Sequence, residues 1–543
     1  MSKIDTYLAK IIKKQYDVML ITAKSCIMHT ICDIETKATA KNQRQTIPAF
    51  RPTWLTRIYF LFIFAVKYLS KMESVKKQLV SGTIFIATAK YTGVAINMLI
   101  TAILARILVP EQFAIVAISS VLSNFFNLFS DFGFASAIIQ RQDLKEKDHS
   151  NIFSFSVYLG IFLSVTFVFL SGLFANIYEQ EILGNIVKIL AIQVFFTSLN
   201  IVPNALLTKA KEFRFIAART IVINLISGAA AVLFAYTYRS IYSLIIAPIL
   251  TSVLLFIVNT VKVRTLRFTF KPDFGSVRKI LNYSSYNLGY NIINYLSRNI
   301  DKLLIGKHLP MNELGYYEKS YTLMLYPIMN IIGVLNPVIH PVLSKYQNDS
   351  SYIYNYFCAI LRTFAWIGFP ISVVLITFSD EFIHIFLGSN WEDSIPVFQT
   401  FAISIGFQII YALHGPFFLV RNAPKALFLC GIVTAVLNTV ALLLGIFLYH
   451  NTTMIAWFID IAYIITTAIT FYWLYRVCFK SKYSDFWVNI LPAIVASAAY
   501  IGIVFTAQYL FDSTLATVFK YAITTIFLIY SVIKIKKLFR STK

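Results

Sequence analysis

The residues of this chain best placed to do chemistry are charges lying inside apolar runs. Lys90 stands deep within "FIATAKYTGVAINMLITAIL", too far from either end for easy snorkelling. Asp131 lies in a second run. Arg298, Asp301 and Lys302 lie in a third, Glu318 and Lys319 open the next, and Arg362 and Asp460 sit in two others. An ion held in hydrocarbon is costly, so each of these is either half of an internal ion pair or a contact for a charged ligand. For Lys90 the choices are an anionic ligand and a carboxylate such as Asp131. Asn291, Asn294 and Tyr295 precede Arg298 at helical spacing, which describes a wet helix face. Arg298, Asp301 and Lys302 also fit an internal pair that orders a helix end. Arg362 has either a ligand-binding role or a snorkelling one. Asp131, Asp301, Glu318 and Asp460 are the acids available to couple transport to a cation gradient. Tyr283, Tyr286 and Tyr290 form a stripe for which packing is the commoner explanation.

Other chemistries leave no trace. The sequence has no GxxxxGK[ST], no HExxH and no Ser/His/Asp cluster, and its five cysteines show neither CxxC nor His-paired metal spacing. No enzyme activity, metal or cofactor is expected.

The elements that hold these charges follow from composition. The chain is 58% hydrophobic and 13% charged, with a mean hydropathy of +0.69. Soluble domains are roughly 45–50% apolar and about 25% charged. An all-α polytopic membrane protein is therefore expected. The formal charge of +23 belongs to loops facing the cytoplasm rather than to a nucleic-acid partner. A helix needs about 20 apolar residues to span a bilayer. About fourteen such runs follow residue 72, the seventh near 279–305, the eighth near 314–341 and the last near 515–536. Their loops alternate in charge. One set holds Lys76 and Lys77, Arg141 to Lys147, Lys209 to Arg214, Lys262 to Lys279, Lys345, Arg421 and Lys425, Arg476 to Lys482, and the basic tail. The other holds little beyond Arg239 and Lys307 and is otherwise neutral or acidic, as in "SDEFIHIFLGSNWEDS". The basic set, and both ends of the helical core, are expected on the cytoplasmic side. Residues 1–71 are mixed polar and basic; their one apolar stretch, "IYFLFIFAVKYL", is short for a span, and Met72 is an alternative start.

The sequence also repeats itself. "ILARILVPEQFA" (103–114) and "LLIGKHLPMNELG" (303–315) align Arg106 with Lys307, Leu108 with Leu309, Gln112 with Glu313, Phe113 with Leu314 and Ala114 with Gly315. Each basic residue ends an apolar run, and six runs separate them. An even-numbered repeat keeps its orientation, so two halves related by an axis along the membrane normal are expected around a central cavity. The division is 72–262 for the first six-helix lobe, 263–278 for a cytoplasmic linker, 279–475 for the second lobe, and 476–543 for two further helices and the tail.

With "AILARILVPEQFAIVAI", "LFSDFGFASAIIQRQDL", "NIDKLLIGKHLPMNELGYYEKSYTLMLYPI" and "PVLSKYQND", the chain resembles bacterial polysaccharide flippases of the multidrug/oligosaccharidyl-lipid/polysaccharide exporter superfamily, in the branch serving colanic and teichuronic acids. The likeness runs over about residues 73–500. It departs at Ala114, where the family has Gly, at Lys307, where it has Arg, and in residues 1–71, which have no counterpart. The resemblance implies a V-shaped two-lobe bundle in a bacterial inner membrane. It also implies translocation of an oligosaccharide on undecaprenyl pyrophosphate, by alternating access, from the cytoplasmic to the periplasmic leaflet. The product would be exopolysaccharide, capsule or O-antigen, and polymerase machinery a partner alongside membrane lipids. Pyrophosphate and sugar would then meet Lys90, Arg298, Lys302, Arg362, Asn291 and Asn294. A multidrug or cation antiporter on the same scaffold is the rival reading; acid-rich cavities would suit it better. A membrane polymerase or ligase is disfavoured by the short loops.

The charge alternation makes a topological prediction. A cysteine introduced at Thr265 reacts with a membrane-impermeant maleimide only from the cytoplasmic side, and one at Ser389 only from the opposite side. Labelling of both from one side would refute the topology.

Overall fold

A peptide in hydrocarbon has no water to bond, so each apolar run closes its own N–H to C=O ladder as a helix. The computed structural model describes residues 74–541 apart from 132, 142, 274, 276–290, 293–294 and 344–348. The N-terminal stretch, Asn294, the tyrosine stripe and much of the expected seventh run lie outside these residues. Helix α1 runs Ser74–Ile107, α2 Pro110–Asp131, α3 Phe134–Gln140, α4 Glu146–Phe169, α5 Ser171–Tyr178, α6 Glu181–Lys209, α7 Phe213–Tyr238 and α8 Ser243–Val263. Residues 295–308 form α9. Then come α10 Met311–Leu343, α11 Ser350–Thr377, α12 Ser379–Phe386, α13 Ser394–Tyr411, α14 His414–Val420, α15 Pro424–Leu444, α16 Thr452–Trp473, α17 Ser484–Leu510 and α18 Ser513–Ser541. The described residues contain no strand.

Twelve described stretches are long and apolar enough to cross a membrane. They coincide with all the expected runs except the seventh and eighth, so the count of fourteen is not reached among the described residues. The eighth run does form a long helix, α10. Residues 78–543 make one compact unit. Within it α6 packs on α2, α4 and α8, and α8 on α7; later in the chain α13 packs on α10, α11 and α16, while α17 and α18 lie against α11. Helix α1 reaches α7 through small residues: Gly93 lies beside Asn224, and Gly228 beside Ile100.

The two groups meet where α2 crosses α10. A Cβ at Gly315 would come within 2.3 Å of the Pro110 carbonyl oxygen, so this crossing admits only glycine. The aligned position, Ala114, is fully buried. Around the crossing, at the end where the loops carry few cations, each group reaches across to the other. The Trp391 indole N–H donates to the Ala105 carbonyl at 2.9 Å and the Arg106 guanidinium donates to the Ile385 carbonyl at 2.7 Å. In return, the Tyr178 hydroxyl donates to the Leu303 carbonyl at 3.4 Å and Lys307 pairs with Glu179 at 3.2 Å. The aligned residues Arg106 and Lys307 thus do the same thing in opposite directions: each, at the end of its helix, holds the other group, Arg106 at the end of α12 and Lys307 at Glu179 just after α5.

The two contacts are unequal. Trp391 is completely buried and edge-on to Phe113, with ring centroids 5.3 Å apart, whereas Glu179 is largely exposed. Trp391→Ala is expected to cost about 3–5 kcal/mol of stability through the cavity it leaves. Lys307→Ala should cost less than about 1 kcal/mol, as for other exposed pairs. Unfolding of the purified variants in detergent measures both; equal losses would contradict the unequal burial.

Candidate functional site

Lys90 projects from α1 and is exposed. Among the described residues it forms no ion pair, and the alternative of a pair with Asp131 is not seen. Its neighbour Tyr91 donates to the Asn330 carbonyl on α10 at 3.2 Å, which places this part of α1 beside the second group of helices. Asp131 is occupied elsewhere: its carboxylate accepts the backbone N–H of Ala135 at 3.1 Å, where the chain restarts as α3. The break between α2 and α3 is made by Gly133, whose φ of 76° lies in the left-handed region.

Arg298 is also exposed, on α9, while Asn291 is half-buried. One turn from Arg298, the hydroxyl of Tyr317 donates to Asp301 Oδ2 at 2.9 Å, leaving Asp301 Oδ1 buried with no partner among the described residues. Tyr317 stacks parallel on Tyr321 at 6.0 Å, and Tyr321 meets Tyr463 of α16. Asp301 and Arg298 therefore sit beside a tyrosine cluster that joins α9, α10 and α16. Tyr295, one turn before Arg298, donates to the Val121 carbonyl on α2 at 2.9 Å and so ties α9 to the first group.

Lys302 is engaged. It pairs with Glu318 at 3.7 Å, and Lys319 pairs with the same carboxylate at 3.0 Å while lying 4.6 Å from the Phe113 ring centroid. Thr322 also donates to Glu318, at 2.9 Å. Two cations and a hydroxyl on one buried carboxylate make a structural knot beneath the α2–α10 crossing. Arg362 lies on α11 far from these groups in the sequence of contacts. Its guanidinium donates to Asn489 of α17, which in turn donates to the Asp485 carbonyl. Asp460 is buried to 1% exposure on α16 and faces Ser404 of α13.

The structure therefore gathers Arg298 and Asp301 in one place, ties Lys302 to Glu318, and leaves Lys90 open on α1. It sets Arg362 and Asp460 in separate surroundings. Sequence reasoning missed Tyr317, Tyr321 and Tyr463. The first two are four apart in "YEKSY", a spacing that puts both rings on one helix face, and nothing local points to Tyr463. It also missed Trp391, which the acidic loop concealed. On α12, beside Ile385, His384 is raised above the ordinary imidazole value, chiefly by its bond to the Asp380 carbonyl and then by Glu392.

The comparisons agree with this architecture. The chain is 24% identical over 440 residues to the teichuronic acid biosynthesis protein TuaB of Bacillus subtilis, covering 79% of this chain and 88% of that one. It is 25% identical over 342 residues to the lipopolysaccharide biosynthesis protein WzxC of Escherichia coli, covering 61% and 67%. It is 22% identical over 345 residues to the succinoglycan biosynthesis transport protein ExoT of Rhizobium meliloti, covering 63% and 69%. Among solved structures, the fold is shared with the lipid II flippase MurJ in an inward closed conformation, at a TM-score of 0.65 and 17% identity over 84% of this chain and all of that one. A multidrug resistance MATE transporter in its inward-facing conformation matches at 0.51 and 14%, over 70% and 93%. A family model described as polysaccharide biosynthesis protein matches residues 103–396, from the end of α1 into α13. That match takes in more than half of the sequence, both latching residues Arg106 and Trp391 and the Arg298–Asp301 cluster: the chain belongs to the polysaccharide biosynthesis protein family.

Proposed function

We propose that this multi-pass membrane protein translocates oligosaccharide units linked to undecaprenyl pyrophosphate from the cytoplasmic to the periplasmic leaflet of a bacterial inner membrane. The units feed exopolysaccharide, capsule or O-antigen synthesis. The observation that carries the reading is a pair of exposed cations within apolar stretches of the chain, Lys90 on α1 and Arg298 on α9, neither of which forms an ion pair among the described residues. A hydrocarbon environment tolerates such groups when an anion or a wet cavity meets them. A pyrophosphate-linked sugar supplies both. Relatives that serve teichuronic acid, lipopolysaccharide and succinoglycan support the same substrate class.

In this reading the two packed groups of helices are lobes about a central cavity. The contacts of Trp391, Arg106, Tyr178 and Lys307 hold the periplasmic end shut while the cytoplasmic end receives the headgroup. Asn291 adds a polar contact, while Lys302 and Arg362 have a secondary part because their side chains are already bonded. Among the acids, Asp301 and Asp460 suit cation coupling better than Asp131 and Glu318, whose carboxylates are engaged by a backbone N–H and by two lysines. Polysaccharide polymerase machinery takes the product.

Lys90→Ala and Arg298→Ala are each expected to reduce polysaccharide export about tenfold, the equivalent of one lost charge-assisted hydrogen bond, with normal protein levels in the membrane. Quantifying surface polysaccharide against immunoblotted protein measures this. Wild-type export by both variants would remove them from the substrate path.

A further inference from the structure

One buried ion lies away from all of these groups. Arg219, near the start of α7, is 8% exposed. Its Nη2 donates to Asn204 Oδ1 of α6 at 2.7 Å, but its Nε and Nη1 are buried with no hydrogen-bond partner. No carboxylate pairs with it among the described residues. Asn204 follows Pro203, which interrupts the ladder of α6. One turn before Asn204 on α6, Asn200 accepts from Asn259 of α8 at 2.6 Å, and Asn259 Oδ1 is again buried and unpartnered. Beside Arg219 is the ring of Phe215, which has the Arg219 guanidinium 5.9 Å from its centroid and Lys262 Nζ at 5.2 Å. Lys262 is exposed at the basic end of α8. The nearest acid in the sequence, Glu212, stands two helical turns before Arg219.

A buried guanidinium with two idle donors and no counter-charge is unfavourable by itself. Its fork matches one chemistry closely: two oxygens of a phosphate. We infer that the place where α6, α7 and α8 pack around Arg219 is a phosphate-binding site, with Arg219 and Asn204 as its inner contacts and Lys262 at its edge. The phosphate belongs either to a pyrophosphate group or to an anionic lipid headgroup. This site is independent of the translocation reading, whose test does not involve Arg219.

The test is the melting midpoint of the purified full-length protein with inorganic pyrophosphate in detergent, and in nanodiscs of phosphatidylglycerol against phosphatidylcholine. A saturable rise with pyrophosphate, or a rise in phosphatidylglycerol alone, supports the site and identifies its source. The rise should be lost in Arg219→Met and partly kept in Arg219→Lys. Arg219→Met should also melt higher than wild type without any anion, because it removes an uncompensated charge; a residue serving only to bond Asn204 would lose stability instead. No anion response in either medium, an undiminished response in Arg219→Met, or an anion-free Arg219→Met that melts lower than wild type would overturn the inference.

Discussion

The cost of keeping an ion away from water organises this molecule. It confines most Lys and Arg to one set of loops, and it makes every charge that enters a helix account for itself. Glu318 is satisfied by Lys302, Lys319 and Thr322. Asp131 is satisfied by a backbone N–H at a helix restart. Lys520 is buried on Glu381 at 2.6 Å, which ties α18 to the start of α12. Other ions within the helices, Lys90, Arg298 and Arg219 among them, form no ion pair among the described residues. Lys90, Arg298 and Arg219 stand out because their neighbours resolve their charges by pairing.

The same constraint shapes how the two groups of helices meet. With no hydrophobic driving force between helices in lipid, close backbone approach and polar contacts take its place. Gly315 against Pro110 provides the first. The second comes from a carbonyl at the end of each of α1 and α9, approached by an aromatic donor from the opposite group: Trp391 on Ala105 and Tyr178 on Leu303. In the proposed reading, a closed end made of a few specific contacts near one crossing is one that a small rotation of the groups would release. The burial of Trp391 and the exposure of Glu179 make the contacts unequal, with the segment between α11 and α13 holding the larger share.

Much of the fold was legible in the sequence because membrane helices are written in long, redundant signals. Apolar length located twelve spans, and the Arg106–Lys307 alignment located the two helix ends that hold the opposite group. The site was only partly legible. Lys90 is conspicuous in the sequence because its charge stands alone in an apolar run. Arg219 could not, since it follows Arg214 near a helix start and resembles the ordinary basic punctuation there. The pairing of Arg362 with Asn489 and the meeting of Tyr321 with Tyr463 join helices remote in sequence, and no local pattern encodes such contacts.

The most direct measurement uses proteoliposomes that contain the purified chain and a lipid-linked oligosaccharide placed in one leaflet. The sugar's accessibility to a membrane-impermeant glycosidase is followed with time. Translocation predicts that the sugar becomes accessible from the opposite side in liposomes with the protein and stays inaccessible in liposomes without it. Equal accessibility in the two preparations, with the protein folded and correctly inserted, would contradict the proposed function.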